Sequence, residues 1–188
     1  GSITPTYKWN VGTNVVSTSN SYTVSETETD VGDTIICTAT VTDSNGELAT
    51  STDSVVVENT EPIIADIEIT PATTVYNDDS LTCSATVTDP DETPTISYEW
   101  NVGTTLLNTG SSIDLSNHTI NPTDVITCTA SATDSDGGST SESTTKTIDN
   151  RAPSVASITI DNTTPFADGT ITCSAGVTDS DGESLAPT

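Results

Sequence analysis

Four cysteines and a recurrent set of acidic turns are the residues of this chain whose types and spacing could do chemistry. The cysteines stand at Cys37, Cys83, Cys128 and Cys173, spaced 46, 45 and 45 residues apart. No Cys-x-x-Cys pair exists, and His118, the one histidine, is not near them, so a zinc site is a poor reading. Residue type leaves disulfides or buried free thiols. The acids recur as Asp89-Pro90-Asp91-Glu92, Asp134-Ser135-Asp136-Gly137 and Asp179-Ser180-Asp181-Gly182. Hard oxygen donors at this density suit Ca²⁺, which takes about 6–8 oxygens. The same residues suit plain turns, because Asp bonds its own backbone and Gly supplies positive φ. The EF-hand spacing is absent.

The acid excess extends to the whole chain. Its 188 residues carry 28 Asp+Glu against 3 Lys+Arg, a formal net charge of −25. Nucleic acid is excluded as a partner on that ground, since binding it begins by neutralising phosphates with Lys and Arg. An anionic membrane surface is disfavoured likewise. No apolar run approaches the ~20 residues of a membrane helix, and an export signal is expected outside this stretch. Catalysis lacks parts: there is one His and no Gly-rich phosphate loop. A carboxylate pair of glycosidase type stays open from residue types alone, but nothing clusters like a pocket, and no enzyme activity is expected. With 31% hydrophobic residues the composition could suggest disorder. The excess carboxylates equally keep a folded protein soluble in salty water.

The elements that must position these residues follow from repetition. Tyr7-Lys8-Trp9-Asn10-Val11-Gly12 returns as Tyr98-Glu99-Trp100-Asn101-Val102-Gly103, 91 residues later, and Asn59-Thr60-Glu61-Pro62 returns as Asn150-Arg151-Ala152-Pro153 at the same offset. The unit is therefore about 91 residues, with two similar cysteine phrases in each. Leu81, Cys83, Ala85 and Val87 alternate with Thr82, Ser84 and Thr86, and Ile126, Cys128, Ala130 and Ala132 alternate in the same way. That period of two marks strands with one buried face. Threonine favours strands, and Asp-Ser-Asn-Gly, Asp-Ser-Asp-Gly and Asn-Asp-Asp punctuate them as turns. The reading is all-β. In the middle repeat, strands are expected at Ala65–Thr70, Ser80–Thr88, Ile96–Val102, Thr105–Leu107, Ser112–Leu115, Val125–Thr133 and Ser141–Ile148, lettered A, B, C, C′, E, F and G. Seven short strands suggest a β-sandwich.

The order Cys83, Trp100, Cys128 resembles the immunoglobulin pattern, a strand-C Trp packed on a B–F disulfide. Ile126 stands where that family has a corner Tyr. Tyr98-Glu99-Trp100-Asn101-Val102-Gly103 resembles the aromatic-x-Trp-Asp-Phe-Gly motif of PKD (polycystic kidney disease) domains. Val41-Thr42-Asp43-Ser44-Asn45-Gly46 looks like the end of strand F in that family, and the Asn-x-x-Pro starts look like those of tandem PKD-like and cadherin-like repeats of prokaryotic surface proteins. Asn101 replaces the family's Asp, Gly103-Thr104-Thr105 replaces its second acidic turn, and the cysteine pair is an addition. The resemblance covers nearly the whole chain and implies tandem Ig-like (PKD-like) seven-stranded sandwiches.

Under this resemblance residues 1–60 are the C-to-G part of a first repeat, 61–150 a complete repeat, and 151–188 the A and B strands of a third. Residues 182–188 also resemble residues 1–6. Two readings follow. The chain is a window on a longer array, or its A–B pair completes the C–G part of a neighbouring copy, giving a fibre. Cys83 would pair with Cys128 inside the middle repeat. Cys37 and Cys173 would find partners in a neighbouring chain or beyond this stretch, in the fibre reading each other across chains. Disulfides imply an oxidising, extracytoplasmic setting. In an Ig sandwich the B–C and F–G loops share a pole. Asp89, Asp91 and Glu92 would then meet Asp134 and Asp136 beside the linker Glu58–Glu61. The next junction would gather Asp179, Asp181 and Glu183 with Asp149 and Asn150, facing Asp78 and Asp79. Ca²⁺ is the cofactor this would admit. Asn117 and Asn162 head N-glycosylation sequons. Trp9 and Trp100 are expected in cores, and His118 in a solvated loop.

The expected function is structural: an extracellular or cell-surface repeat protein forming a stalk, fibre or sheath, with neighbouring copies or repeats as partners. The alternatives are an adhesin gripping glycans or a partner cell by its loops, and an accessory domain of a secreted enzyme. The turns are near copies between repeats, which favours repeated structure over one specific binding surface.

Overall fold

The computed structural model describes residues 4–183 and 185. The likeness of 182–188 to 1–6, and the extreme ends of the first and third expected repeats, fall partly outside the described residues. Among those described the chain is almost entirely β, with one 3₁₀ turn at Leu115–Asn117 and no α-helix. The strands are β1 (Thr6–Val11), β2 (Asn14–Ser17), β3 (Thr34–Thr42), β4 (Leu48–Val56), β5 (Ile63–Thr70), β6 (Ser80–Thr88), β7 (Thr95–Val102), β8 (Thr105–Thr109), β9 (Ser112–Asp114), β10 (Val125–Thr133), β11 (Ser139–Thr147), β12 (Ser154–Ile160) and β13 (Cys173–Thr178). They pair into sheets of order β2-β1-β3-β4, β11-β10-β7-β8, β5-β6-β9 and β12-β13. The pairings between β1 and β2, β1 and β3, β3 and β4, β6 and β9, β7 and β8, and β12 and β13 are antiparallel.

The sequence repeat is reproduced by the backbone. β10 and β11 lie 91 residues after β3 and β4, boundary for boundary. β1 and β7 each slip register just after their tryptophan, between Trp9 and Asn10 and between Trp100 and Asn101. Each then turns through a glycine, Gly12 or Gly103, with φ of 55° in both. Such a left-handed turn suits glycine, which has no Cβ to clash.

By contacts the chain divides into two compact units. One holds the residues up to Ala65 with Thr86–Ile96 and Ser131–Ser141; the other holds Asp66–Ala85, Ser97–Ala130 and the residues from Glu142 onward.

The second unit contains the principal core. Ile69 of β5, Leu81 and Cys83 of β6 and Ile113 of β9 meet Trp100 of β7 and Ile126 and Cys128 of β10, with Val75, Leu115, Ile120 and Ile148 completing the cluster. Two antiparallel sheets thus face one another in a sandwich-like arrangement. Burying each Leu, Ile or Val contributes about 1.5–3 kcal/mol. Trp100 is fully buried, and its indole N–H donates to the Gly110 carbonyl at 2.9 Å. Without that acceptor the buried indole would carry an unmet donor. The disulfide joins Cys83 to Cys128, with Cα atoms 6.5 Å apart and 45 residues between them in sequence. In the same unit β12 and β13 form a two-stranded hairpin whose every residue is exposed.

In the first unit the β2-β1-β3-β4 sheet is thinly covered. Within residues 4–60 only Val11, Thr29 and Ile35 are buried, and all of β4 is exposed. Trp9, expected in a core like Trp100, is half-buried. Its indole N–H donates to the Ser19 carbonyl at 3.0 Å, the counterpart of the Trp100 bond, and its ring lies 6.1 Å from that of Tyr22. The local geometry of a core tryptophan is formed here, while the surrounding residues cover it only in part.

Replacing Cys83 and Cys128 together by Ala should cost about 4 kcal/mol, the loop-entropy value for a closed loop of ~45 residues. Urea unfolding followed by Trp100 fluorescence measures it as a lowered midpoint.

Candidate functional site

The residues that recur with most chemistry lie against the segments leading into β5 and β12, and the same hydrogen-bonded arrangement is built at both. Asp89 Oδ1 accepts from the backbone N–H of Asp91 at 2.8 Å, closing an Asx turn. Asp91 Oδ2 then accepts the backbone N–H of Thr60 at 2.7 Å, in the segment leading into β5. In the second unit Asp179 Oδ1 accepts from Asp181 N–H at 2.9 Å, and Asp181 Oδ2 accepts the backbone N–H of Arg151, in the segment leading into β12. Thr60 and Arg151 are equivalent by the 91-residue offset. The Asp-x-Asp turn is thus a device by which the loop after strand β6 or β13 grips the incoming backbone.

Each junction adds its own contacts. In the first unit Asp134 is buried; its Oδ2 accepts from Asn59 Nδ2 at 2.9 Å and its Oδ1 from Gly138 N–H at 2.7 Å. A Cβ at Gly138 would overlap Asp134 Oδ2 and lie 2.8 Å from Asn59 Nδ2, so any larger residue there would displace this pair. Glu92 accepts the backbone N–H of Ser135, and its Oε2 accepts the Ser135 hydroxyl at 2.7 Å, tying the loop after β6 to the loop after β10. In the second unit Arg151 forms ion pairs with Asp78 and with the buried Asp181, the latter at 3.0 Å. Its guanidinium stacks 4.1 Å over the Tyr76 ring, a cation–π contact. Asn77 Nδ2 donates to the Asp181 carbonyl at 2.8 Å. Asp149 Oδ2 accepts from Val75 N–H at 3.1 Å.

These bonds set the electrostatics. The Asn59 amide holds the Asp134 carboxyl below its ordinary range, with the backbone N–H groups of Gly138, Gly137 and Asp136 helping and desolvation opposing. The Arg151 hydrogen bond likewise lowers Asp78 and raises Arg151 in return.

The expected grouping of Asp89, Asp91, Glu92 and Asp134 at one junction is present, and Asp181 meets Asp78 at the other through Arg151. Among the described residues no group of three or more His, Cys, Asp or Glu side chains is placed to hold a metal ion. The physical reason is that the carboxylates turn to backbone and side-chain N–H donors. Among the described residues, Asn59 Oδ1 and Asp89 Oδ2 at the first junction are buried without a hydrogen-bond partner. Asp136 is exposed beside this junction, and Asp179 serves its turn. Sequence reasoning missed Asn59, Thr60 and Arg151. The signal available was their position in the recurring Asn-x-x-Pro phrase.

The remaining expected residues are also placed. Cys37 is a half-buried free thiol and Cys173 an exposed one. Asn117 ends the 3₁₀ turn and is exposed, as is Asn162, whose Oδ1 accepts from Thr164 N–H at 3.0 Å. His118 is half-buried, and its backbone N–H caps the turn by donating to the Leu115 carbonyl at 3.0 Å.

No protein-family model matches the chain, and no curated protein matches it.

A carboxyl whose folded pKa is depressed contributes stability above its unfolded value of about 3.9, and loses it as pH falls through the folded value. Asp134→Asn should therefore lower the melting temperature at pH 7, and the gap to the parent chain should close below about pH 4. Thermal scans of both chains between neutral and acid pH check this. A gap independent of pH would remove the charged carboxylate from the explanation.

Proposed function

We propose that this chain belongs to a structural extracellular repeat protein, in which tandem Ig-like (PKD-like) sandwiches of about 91 residues build a surface stalk, fibre or sheath. The observation that carries the reading is the repetition of the junction itself. The Asp89–Asp91 turn on Thr60 and the Asp179–Asp181 turn on Arg151 are the same hydrogen-bonded device at successive repeats. A binding module needs one distinctive surface; a length-giving element needs the same joint copied.

The mechanism is mechanical. A disulfide across the core resists separation of the two sheets, because the chain beyond the bond cannot be drawn out without breaking it. Carboxylate grips on the incoming backbone limit the freedom of each linker. Charge-assisted bonds to backbone N–H are stronger than neutral ones, so a short linker needs few of them. A net charge of −25 keeps such an element hydrated and deters collapse onto its neighbours. The disulfide supports an oxidising, extracytoplasmic location.

Immunogold electron microscopy of the source cells, with antibody raised against this chain, tests the reading. Label following surface filaments or an outer layer is expected. Label confined to the cell interior overturns it.

A further inference from the structure

The loop that follows β9 in the middle repeat has an equivalent in the first repeat, and the two are built alike. Asn121 N–H donates to Asp124 Oδ2 at 2.8 Å, as Asp30 N–H donates to Asp33 Oδ2 at 3.0 Å. Thr123 N–H donates to the Ile148 carbonyl at 2.8 Å, as Gly32 N–H donates to that of Val57 at 2.9 Å. Thr123 holds a φ of 73° where Gly32 holds 86°. The 91-residue offset therefore applies position by position, and it sets Asn117 against Glu26 and Thr119 against Glu28.

The surface chemistry of the two loops differs. Residues 24–32 carry Glu26, Glu28 and Asp30, all exposed. Residues 115–123 carry no Asp, Glu, Lys or Arg, yet Asn117 and Thr119 are exposed. In a chain with 28 acids this is an uncharged stretch of surface. The positions of two carboxylates are taken by the ends of Asn117-His118-Thr119, the tripeptide type that accepts an N-linked sugar. Asn121-Pro122-Thr123, four residues on, has the same ends but is barred by its Pro.

The fold presents the first tripeptide in a fixed place. Leu115 and Ile120 are buried, so the segment between them is anchored at both ends. Asp114 caps the 3₁₀ turn, its Oδ1 accepting Ser116 N–H at 3.1 Å and the Ser116 hydroxyl at 2.7 Å. The Asn117 amide meets the same exposed carboxylate, and the backbone is extended at His118. These anchors all belong to the middle repeat, which has chain on both sides. Asn77 Nδ2 donates to the Ile120 carbonyl at 3.3 Å and to the Asp181 carbonyl at 2.8 Å, so the loop ends beside the grip on Arg151.

We propose that Asn117 is an N-glycosylation site, carrying an oligosaccharide whose hydroxyls hydrate the surface that carboxylates hydrate in the first repeat. A bulky, solubilising sugar suits an exposed loop. The inference rests on the extracellular reading above, because the donor is a polyprenyl-phosphate-linked oligosaccharide met on export. The Asn117 amide nitrogen bonds to the sugar C1, the C1–O bond to phosphate breaks, the polyprenyl phosphate leaves, and the amide gives up one proton to solvent.

The test is peptide mapping by mass spectrometry of the chain purified from its source cells. Cleavage after Glu, with the disulfide reduced, gives the peptide of residues 100–142. It should be heavier by whole sugar residues, with fragmentation placing them on Asn117 and none on Asn121. Thr119→Ser should keep the addition, while Asn117→Gln and Thr119→Ala should each abolish it. Thr119→Ala leaves Asn117 and the Asp114 cap in place, so its loss of sugar is separable from any change in the turn. An unmodified Asn117, or sugar confined to Ser and Thr of that peptide, overturns the proposal. Surface labelling of the same cells tests the extracellular reading, so the two failures are told apart.

Discussion

Burial of Trp100 between two sheets, with Cys83 and Cys128 bonded beside it, is the constraint on which the rest of the structure rests. The chain is poor in large apolar residues, so its core has to be concentrated. Leu81, Leu115, Ile126, Ile148 and Val75 are drawn into one cluster around the indole, and the polar edge of the ring is met by the Gly110 carbonyl. A sheet that lacks such a partner layer looks different. β1 and β3 repeat the strands of the core almost residue for residue, yet Trp9 and Cys37 remain half-buried. The difference lies in what faces the sheet, since the strands themselves are copies.

The acids then act on what the core has set in place. Asp91, Asp134 and Asp181 lie in loops at strand ends; Asp91 and Asp181 accept backbone N–H groups of the incoming linker, and Asp134 accepts the linker's Asn59 side-chain amide. A carboxylate is an acceptor only, and it satisfies such donors without needing a donor in return. This gives the charge excess a local meaning. Part of it fastens one segment of backbone to another, and part remains on the exposed surface as hydration. Arg151 shows what happens where a base is admitted: it is held by Asp78, Asp181 and the face of Tyr76 together.

Much of the fold could be read from residue order. The limits of β6 and β10 coincide with the alternation of Leu81, Cys83, Ala85 and Val87 and of Ile126, Cys128, Ala130 and Ala132. That pattern is strong because the burial of one face is enforced by the core. The partners of the acids were less legible. Asp-x-Asp fixes the density of oxygen donors but says nothing of whether they turn to an ion or to an N–H. Asn59 and Arg151 reach residues 75 and 30 positions away, choices made by tertiary packing. The exposure of Trp9 could not be read from its own phrase, because a phrase differing only in Lys8 for Glu99 buries Trp100.

The near-equal spacing of the cysteines has a consequence for the order of events in folding. Cys37 to Cys83, Cys83 to Cys128 and Cys128 to Cys173 span 46, 45 and 45 residues. Loop closure varies only with the logarithm of length, so the three neighbouring pairings differ by well under ~0.1 kcal/mol in the unfolded chain. Chance encounter therefore has no means of preferring Cys83 with Cys128. The preference arises when β6 and β10 already face each other across Trp100. Oxidation in this protein is a record of completed packing, and a chain oxidised before it folds would distribute its thiols among the wrong neighbours.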